Sequence, residues 1–223
     1  MNKQEIRERF YELTPDADET RNALVADVND WIKEGNSEFV MATRCLVAEY
    51  TITTTEDIRY YDLTDSEPLF LDVDNNSGGV WYDDRSLTQT DLSELSNADR
   101  RWRAHLDGTV TKWWTRMAIL WLNKNPEGSK ELIVSIVKKA DPLIQDSQTP
   151  FDAVGFLEPY HMALVKYAQM RFKGSQGKTE EMAISKGEYG EYIEACRSRL
   201  TTGRSGSASL EPDAGIYQPS ARG

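Results

Sequence analysis

Two periodicities divide the chain. Near the start, Ile6, Phe10 and Leu13 recur at helical spacing and predict a short helix. Thr14 and Pro15 suit an N-cap and first turn. Beyond them Leu24, Val25, Val28, Trp31 and Ile32 share one face, and Gly35 reads as a C-terminal stop. A further helix is predicted from about Ser37, with Phe39, Val40, Cys45, Leu46 and Val47 as its apolar positions. From Tyr50 the period falls to two. "YTITTT" alternates, "IRYYDL" and "LFLDV" are rich in strand-forming residues, and "VWYDD" follows the turn-forming run "DNNSGG". The last two strands therefore read as a hairpin. A second hairpin is predicted from "MAILWL" through "NKNPEGSK" to "ELIVSIVKKA", where Pro and Gly fall only in the turn. Helical spacing returns from about Phe156: Leu157, Tyr160, Met162, Leu164, Val165, Tyr167, Ala168 and Phe172 line one helix, with Pro159 in its first turn. Met182, Ile184, Tyr189, Tyr192, Ile193 and Cys196 to Leu200 line another.

This order predicts an α+β fold in which N- and C-terminal helices form one bundle and the middle of the chain forms a β-rich lobe of antiparallel hairpins. Both helical ends have apolar faces that need a partner, while strands of period two can build their own core. The expected boundaries are 1–47 helical, 48–140 β-rich, 141–200 helical and 201–223 an extended tail. That tail, "TTGRSGSASLEPDAGIYQPSARG", offers only Leu210, Ile216 and Tyr217 as sizeable apolar groups. Ordering it costs ~1 kcal/mol or more per residue, which it cannot offset alone.

Composition removes some classes of function. With 39% hydrophobic and 28% charged residues, the 223-residue chain belongs with folded proteins. Asp and Glu outnumber Lys and Arg by 37 to 26, a net charge of -11, so a phosphate backbone is repelled over most of the surface. "MNKQEIRERF" has no apolar core of the kind that marks a secreted chain, and no run approaches the ~18 apolar residues of a membrane span. Cys45 and Cys196 have no Cys or His at ligand spacing and read as buried thiols.

The motifs that suggest chemistry fail on spacing. "GSQGKT" (174–179) ends as a phosphate-binding loop does, but the motif's first glycine would fall on Phe172. It also joins two predicted helices instead of following a strand, so no nucleotide is expected and Lys178 and Thr179 start the last helix. "DVDNNSGGVWYD" places Asp72, Asp74, Asn76 and Asp83 at ligand positions of a calcium loop, yet the required sixth-position glycine is Ser77 and the flanks are strands. His105 and His161 have no catalytic partner at a diagnostic spacing. No catalytic, cofactor-binding or metal-binding residue, and no cofactor, is therefore assigned.

"DRRWRAHLDGTVTKWW" is the densest aromatic stretch. Trp102, Trp113 and Trp114 either pack the strand lobe as a structural aromatic cluster or, with Arg100, Arg101 and Arg103, make a platform for single-stranded nucleic acid. The order "SLTQTDLSELSN…RRWRAHLDGTVTKWW", "MAILWLNKNP", "LIVSIVKKADPLI…FLEPYHMALVKYAQMRF" resembles the adaptor, or head-to-tail connector, proteins of tailed bacteriophages. That family has a leucine-rich phrase, matched by Leu92, Glu94 and Leu95, followed by Trp-Arg at Trp102 and Arg103. A glycine turn at Gly108, aromatic strand residues Trp113 and Trp114, and Pro126 come next. Val110 stands where the family usually has a proline. The resemblance runs from Glu5 to Leu200.

The resemblance implies a structural virion protein with no enzymatic activity. Copies of it would form a ring, expected to be dodecameric, between the portal protein of a phage head and a tail or nozzle protein. Double-stranded DNA would pass through the ring during ejection. The expected location is the head-tail junction, after assembly in the host cytoplasm, with no membrane span. Leu210, Ile216 and Tyr217 would then anchor the tail on the portal or a neighbouring subunit. The alternatives are a single-strand-binding module built on residues 100–114, or an enzyme whose carboxylates converge only in three dimensions.

Overall fold

The computed structural model describes residues 1–65, 67–75, 79–151 and 157–207, apart from the side chains of 202–207. Helices α1 (Lys3–Leu13) and α2 (Val25–Thr43) precede the strands, and α4 (His161–Ser175) and α5 (Thr179–Ser207) follow them. The fold is α+β, with helices at both ends and strands between.

The helices form around a shared core, and α1 has its own start signal. Asn2 caps α1 in a reciprocal box with Glu5. Ile6 and Phe10 of α1, Val28, Ile32, Phe39 and Val40 of α2, and Leu164, Val165, Ala168 and Phe172 of α4 are buried in one cluster, which Tyr189 and Cys196 of α5 complete. Phe10 meets Phe172 edge to face at 6.0 Å, joining the first helix to the fourth. Truncating such a ring costs about 3–5 kcal/mol, so contacts of this kind hold the two chain ends together. Cys45 and Cys196, 151 positions apart, are both buried. The neighbouring Cys196 thiol holds that of Cys45 below its usual range, and the Cys45 neighbour, with burial, raises that of Cys196.

Three expectations are corrected here. Gly35 does not stop a helix: α2 runs unbroken from Val25 to Thr43, and ends where Arg44 turns left-handed at φ 53° and ψ 39°. The helix expected to begin near Thr14 begins at Val25, and Cys45 and Leu46 lie beyond its end. At the far end, α5 continues through Ser207, seven residues into the stretch read as an extended tail.

The strand lobe has two sheets. In the first, β9 (Glu131–Lys138) is central, with β1 (Val47–Thr53) antiparallel along one edge. On its other edge lie β3 (Phe70–Val73) and β4 (Val80–Tyr82), end to end. Asp74 N donates to Ser135 O and Ser135 N to Gly79 O, so the chain leaves this line at residue 74 and rejoins it at 79. β3 and β4 thus lie in line along β9 and do not pair with each other as the hairpin expected on either side of "DNNSGG". A true two-residue turn follows it: Asp83 and Asp84, both at positive φ, join β4 to β5 (Arg85–Ser86).

The second sheet has the order β2 (Tyr60–Asp62), β8 (Ile119–Leu122), β7 (Lys112–Arg116), β6 (Thr88–Gln89), with β6 parallel to β7 and the other pairs antiparallel. The predicted hairpin from "MAILWL" to "ELIVSIVKKA" is thus also corrected. Those strands are β8 and β9, they lie in different sheets, and the Pro- and Gly-containing loop carries the chain from one sheet to the other. The hairpin partner of β8 is β7, through a turn at Met117 and Ala118. Trp113, Leu120 and Leu122 from the second sheet, with Leu63 just past β2, share a core with Val73, Val80, Leu132, Val134 and Ile136 from the first. The short helix α3 (Leu92–Ala98) links β6 to β7.

Candidate interaction site

Alternation along β7 sends its two tryptophans to opposite faces. Trp113 enters the core shared by the sheets, where it is 1% exposed, whereas Trp114 joins Leu95 and Trp102 on the outer face. There Trp114 lies nearly parallel to Trp121 of β8, at 6.1 Å and 10°, and Trp102 meets Trp114 edge-on at 5.5 Å. The Trp102 indole N–H donates to Ser96 Oγ of α3 at 3.2 Å, which fixes the ring. Helix α3 has its own start, since the Asp91 carboxylate accepts from the Ser93 and Glu94 amides. The Asp91-to-Glu94 spacing is a capping signature that would have located this helix in the sequence.

Two guanidinium groups cover the rings. Arg59, just before β2, lies 5.6 Å from the Trp102 ring centre and 5.8 Å from that of Trp121, and Arg103 lies 5.4 Å from Trp102. Arg116, at the end of β7, completes the rim of an open cavity of about 310 Å³ with Leu92 at its side. Among the described residues Arg59, Arg103 and Arg116 form no ion pair, and Arg59 Nη1 is buried without a hydrogen-bond partner. Burial first, and the neighbouring Arg103 charge second, pull the Arg59 pKa below its ordinary value. The arrangement suits an acceptor that carries negative charge.

This geometry bears on the two readings of the Arg and Trp stretch. Trp102, Trp113 and Trp114 are 8%, 1% and 7% exposed, so none presents a face on which a base could stack. Trp113 packs in the core between the sheets, and Trp102 and Trp114 pack together on the outer face. Arg59, Arg116 and Trp121 were not found from sequence. They come from other strands, and only pairing of β2 with β8 and of β8 with β7 brings them to Trp102.

The other sequence candidates have ordinary partners. Lys178 of the "GSQGKT" turn pairs with the Asp16 carboxylate, which also takes Lys173 Nζ at 2.8 Å. Hydrogen bonds from Lys173 and then Lys178 hold the Asp16 carboxyl down at about 2. The turn thus ties the α4–α5 connection to the segment after α1. Of the calcium-loop carboxylates, Asp72 accepts from Arg44 at 2.7 Å and Asp83 from Lys130 at 3.1 Å. His105 Nδ1 lies 2.7 Å from Asp99 Oδ2 on the surface, and His161 is buried, its pKa lowered chiefly by desolvation. Among the described residues no group of three or more His, Cys, Asp or Glu is placed to hold a metal ion. No described helix is long and apolar enough to cross a membrane. Leu210, Ile216 and Tyr217 lie outside the described residues.

Residues 1–213 match a protein-family model described as SU10 adaptor protein. No curated protein matches the chain.

Proposed function

The chain belongs to the SU10 adaptor protein family of phage head-tail adaptors, and on that footing we propose that it forms a ring joining the portal of a phage head to the tail and lining the DNA exit channel. The observation that carries this reading is the extent of the family match, which takes in the helical ends and both sheets together. A virion adaptor works through its surfaces, and the motif residues with chemical potential are committed to internal pairs: Lys178 with Asp16, Asp72 with Arg44, Asp83 with Lys130. The charge balance also supports the channel. A duplex must slide through without being held, and a protein of net charge -11 offers it few continuous cationic tracks. The portal lies on one side of the ring and a tail or nozzle protein on the other, with residues after 207 reaching to the portal or a neighbouring subunit.

The test is negative-stain electron microscopy of the purified chain, alone and mixed with the portal protein of its phage. Rings, or rings stacked on portals, are the expected result. Monomers that leave the portal bare at micromolar concentrations of both proteins refute the proposal.

A further inference from the structure

We propose that the cavity between Arg59, Arg103 and Arg116 is a docking site for a short acidic peptide, and that its occupant is the segment Leu210–Asp213 of this chain, from the same or a neighbouring copy. This goes beyond the ring reading and does not depend on it.

The site asks for an anion. Three guanidinium groups converge on one opening in a protein of net charge -11, none is neutralised by a described carboxylate, and one nitrogen of Arg59 is buried with no acceptor. A buried, unsatisfied charged donor is costly, and a charge-assisted hydrogen bond from a ligand removes that cost. The walls narrow the choice between phosphate and carboxylate. Nucleic acid would bring bases that need an open aromatic face, but Arg59 and Arg103 lie over Trp102, and Trp114 and Trp121 lie against each other. What remains accessible is Leu92 and the rim of Trp121, which suit small aliphatic groups. A peptide with two carboxylates set among aliphatic residues fits both requirements.

The chain carries such a peptide. Helix α5 is described to Ser207, and sixteen residues follow. Between Arg204 and Arg222 there is no Lys or Arg, and the only charges are Glu211 and Asp213, which alternate with Leu210 and Pro212. Carboxylates at alternate positions can meet separate guanidinium groups, while Leu210 and Pro212 lie against Leu92 and the Trp121 rim. Proline also lowers the ordering entropy lost on docking.

The experiment titrates a fluorescein-labelled peptide of residues 208–217 with the full chain carrying Glu211→Gln and Asp213→Asn, so that the chain's own segment does not compete. Saturable, salt-weakened binding is expected. It should be at least tenfold weaker for the same chain with Arg103→Ala and Arg116→Ala, both exposed positions whose replacement leaves the core intact. The same loss is expected for a peptide carrying Glu211→Gln and Asp213→Asn. The wild-type chain should bind the labelled peptide more weakly than the variant whose own carboxylates are removed, because its pocket is already filled. Absence of saturable binding up to millimolar peptide, or affinity unaffected by the arginine substitutions, overturns the site. Equal affinity of wild-type and carboxylate-free chains overturns the occupant, and tighter binding of a six-nucleotide oligothymidylate overturns the preference for carboxylate.

Discussion

Gly35 of α2 lies directly beneath the side chain of Tyr167 of α4. A Cβ on residue 35 would stand 2.9 Å from Cγ and Cδ1 of the ring and 3.1 Å from its Cβ, distances that side chains do not tolerate. The glycine is a contact point between helices. Because the atoms met are the root of Tyr167 and not its far end, the tyrosine cannot swing away, and one of the helices must move.

Gly35→Ala should therefore destabilise the protein. An alanine inside a helix gains about 1 kcal/mol over glycine, but forced overpacking costs about 1–3 kcal/mol, and here the overpacking prevails. Urea denaturation should show a lowered midpoint with unchanged slope. Adding Tyr167→Ala should make the alanine at residue 35 less costly than it is beside the tyrosine, since the contacts with Cγ and Cδ1 are then gone and only the 3.1 Å approach to Cβ remains. A single variant more stable than wild type would show that α2 and α4 separate without cost.

Asp16 gives a pH-dependent contribution whose sign follows from its partners. Its carboxyl titrates at about 2 in the folded protein against an ordinary 3.8, because Lys173 and Lys178 hydrogen-bond the charged form. As pH falls, the unfolded chain takes the proton first. Stability from this carboxylate is complete above 3.8 and is lost as pH falls through about 2. Asp16→Asn should lower the melting temperature at pH 7 by the equivalent of about 1 kcal/mol or less, as befits exposed pairs, and converge on wild type as pH falls below about 2. Lys178→Ala should act in the same direction more weakly, with no difference between buffer and millimolar Mg-ATP. A nucleotide-dependent stabilisation lost in that variant would reinstate the phosphate loop.

The periodicity of single segments was legible, and the partnerships between segments were not. "ELIVSIVKKA" reads as a strand, and β9 occupies eight of its residues. Its neighbours, however, are β1, β3 and β4, all far upstream, and no local signal encodes which of several alternating runs will meet it. The turn-forming residues of "NKNPEGSK" permitted a hairpin, yet they serve a crossing between sheets. Gly35 carried a terminator's chemistry, but its packing against Tyr167, 132 positions away, decided its role. The Arg and Trp cavity was half visible: Trp102 and Arg103 stand together in the sequence, while Arg59, Arg116 and Trp121 join them only through strand pairing.

Opposite faces of β7 predict opposite consequences for its two tryptophans. Trp113→Ala opens a cavity in the core shared by both sheets and should cost about 3–5 kcal/mol, enough to threaten the whole lobe. Trp114→Ala should cost less, because its outer cluster can close over the gap and water reaches its rim. Chemical denaturation of both variants gives the comparison. Fluorescence supplies a second check: oligothymidylate should leave the tryptophan emission of the wild-type chain unchanged. Saturable quenching abolished by Trp121→Phe would restore the single-strand platform.

The described core is closed before residue 208. Leu200 packs at the edge of the helical cluster, and Arg197 Nε and Nη2 both donate to Ala42 O at the end of α2, at 3.0 and 2.8 Å. A cut after Leu200 would remove the last two turns of α5 and weaken this anchorage. A cut after Ser207 would leave in place every described contact that holds α5 to the bundle. Deleting 208–223 should accordingly change the melting temperature by no more than about 2 °C, within what a 0.5 kcal/mol surface effect produces in a domain of this size. If Leu210, Ile216 and Tyr217 anchor the chain to a neighbour or to the portal, the same deletion should reduce its attachment to portal-bearing heads, measured by co-sedimentation. Replacing those three residues by Ser in the full-length chain should reproduce the defect, whereas substitutions confined to 218–223 should not. Full attachment by the shortened protein would remove the tail from assembly and leave adhesion to the helical bundle and the strand lobe.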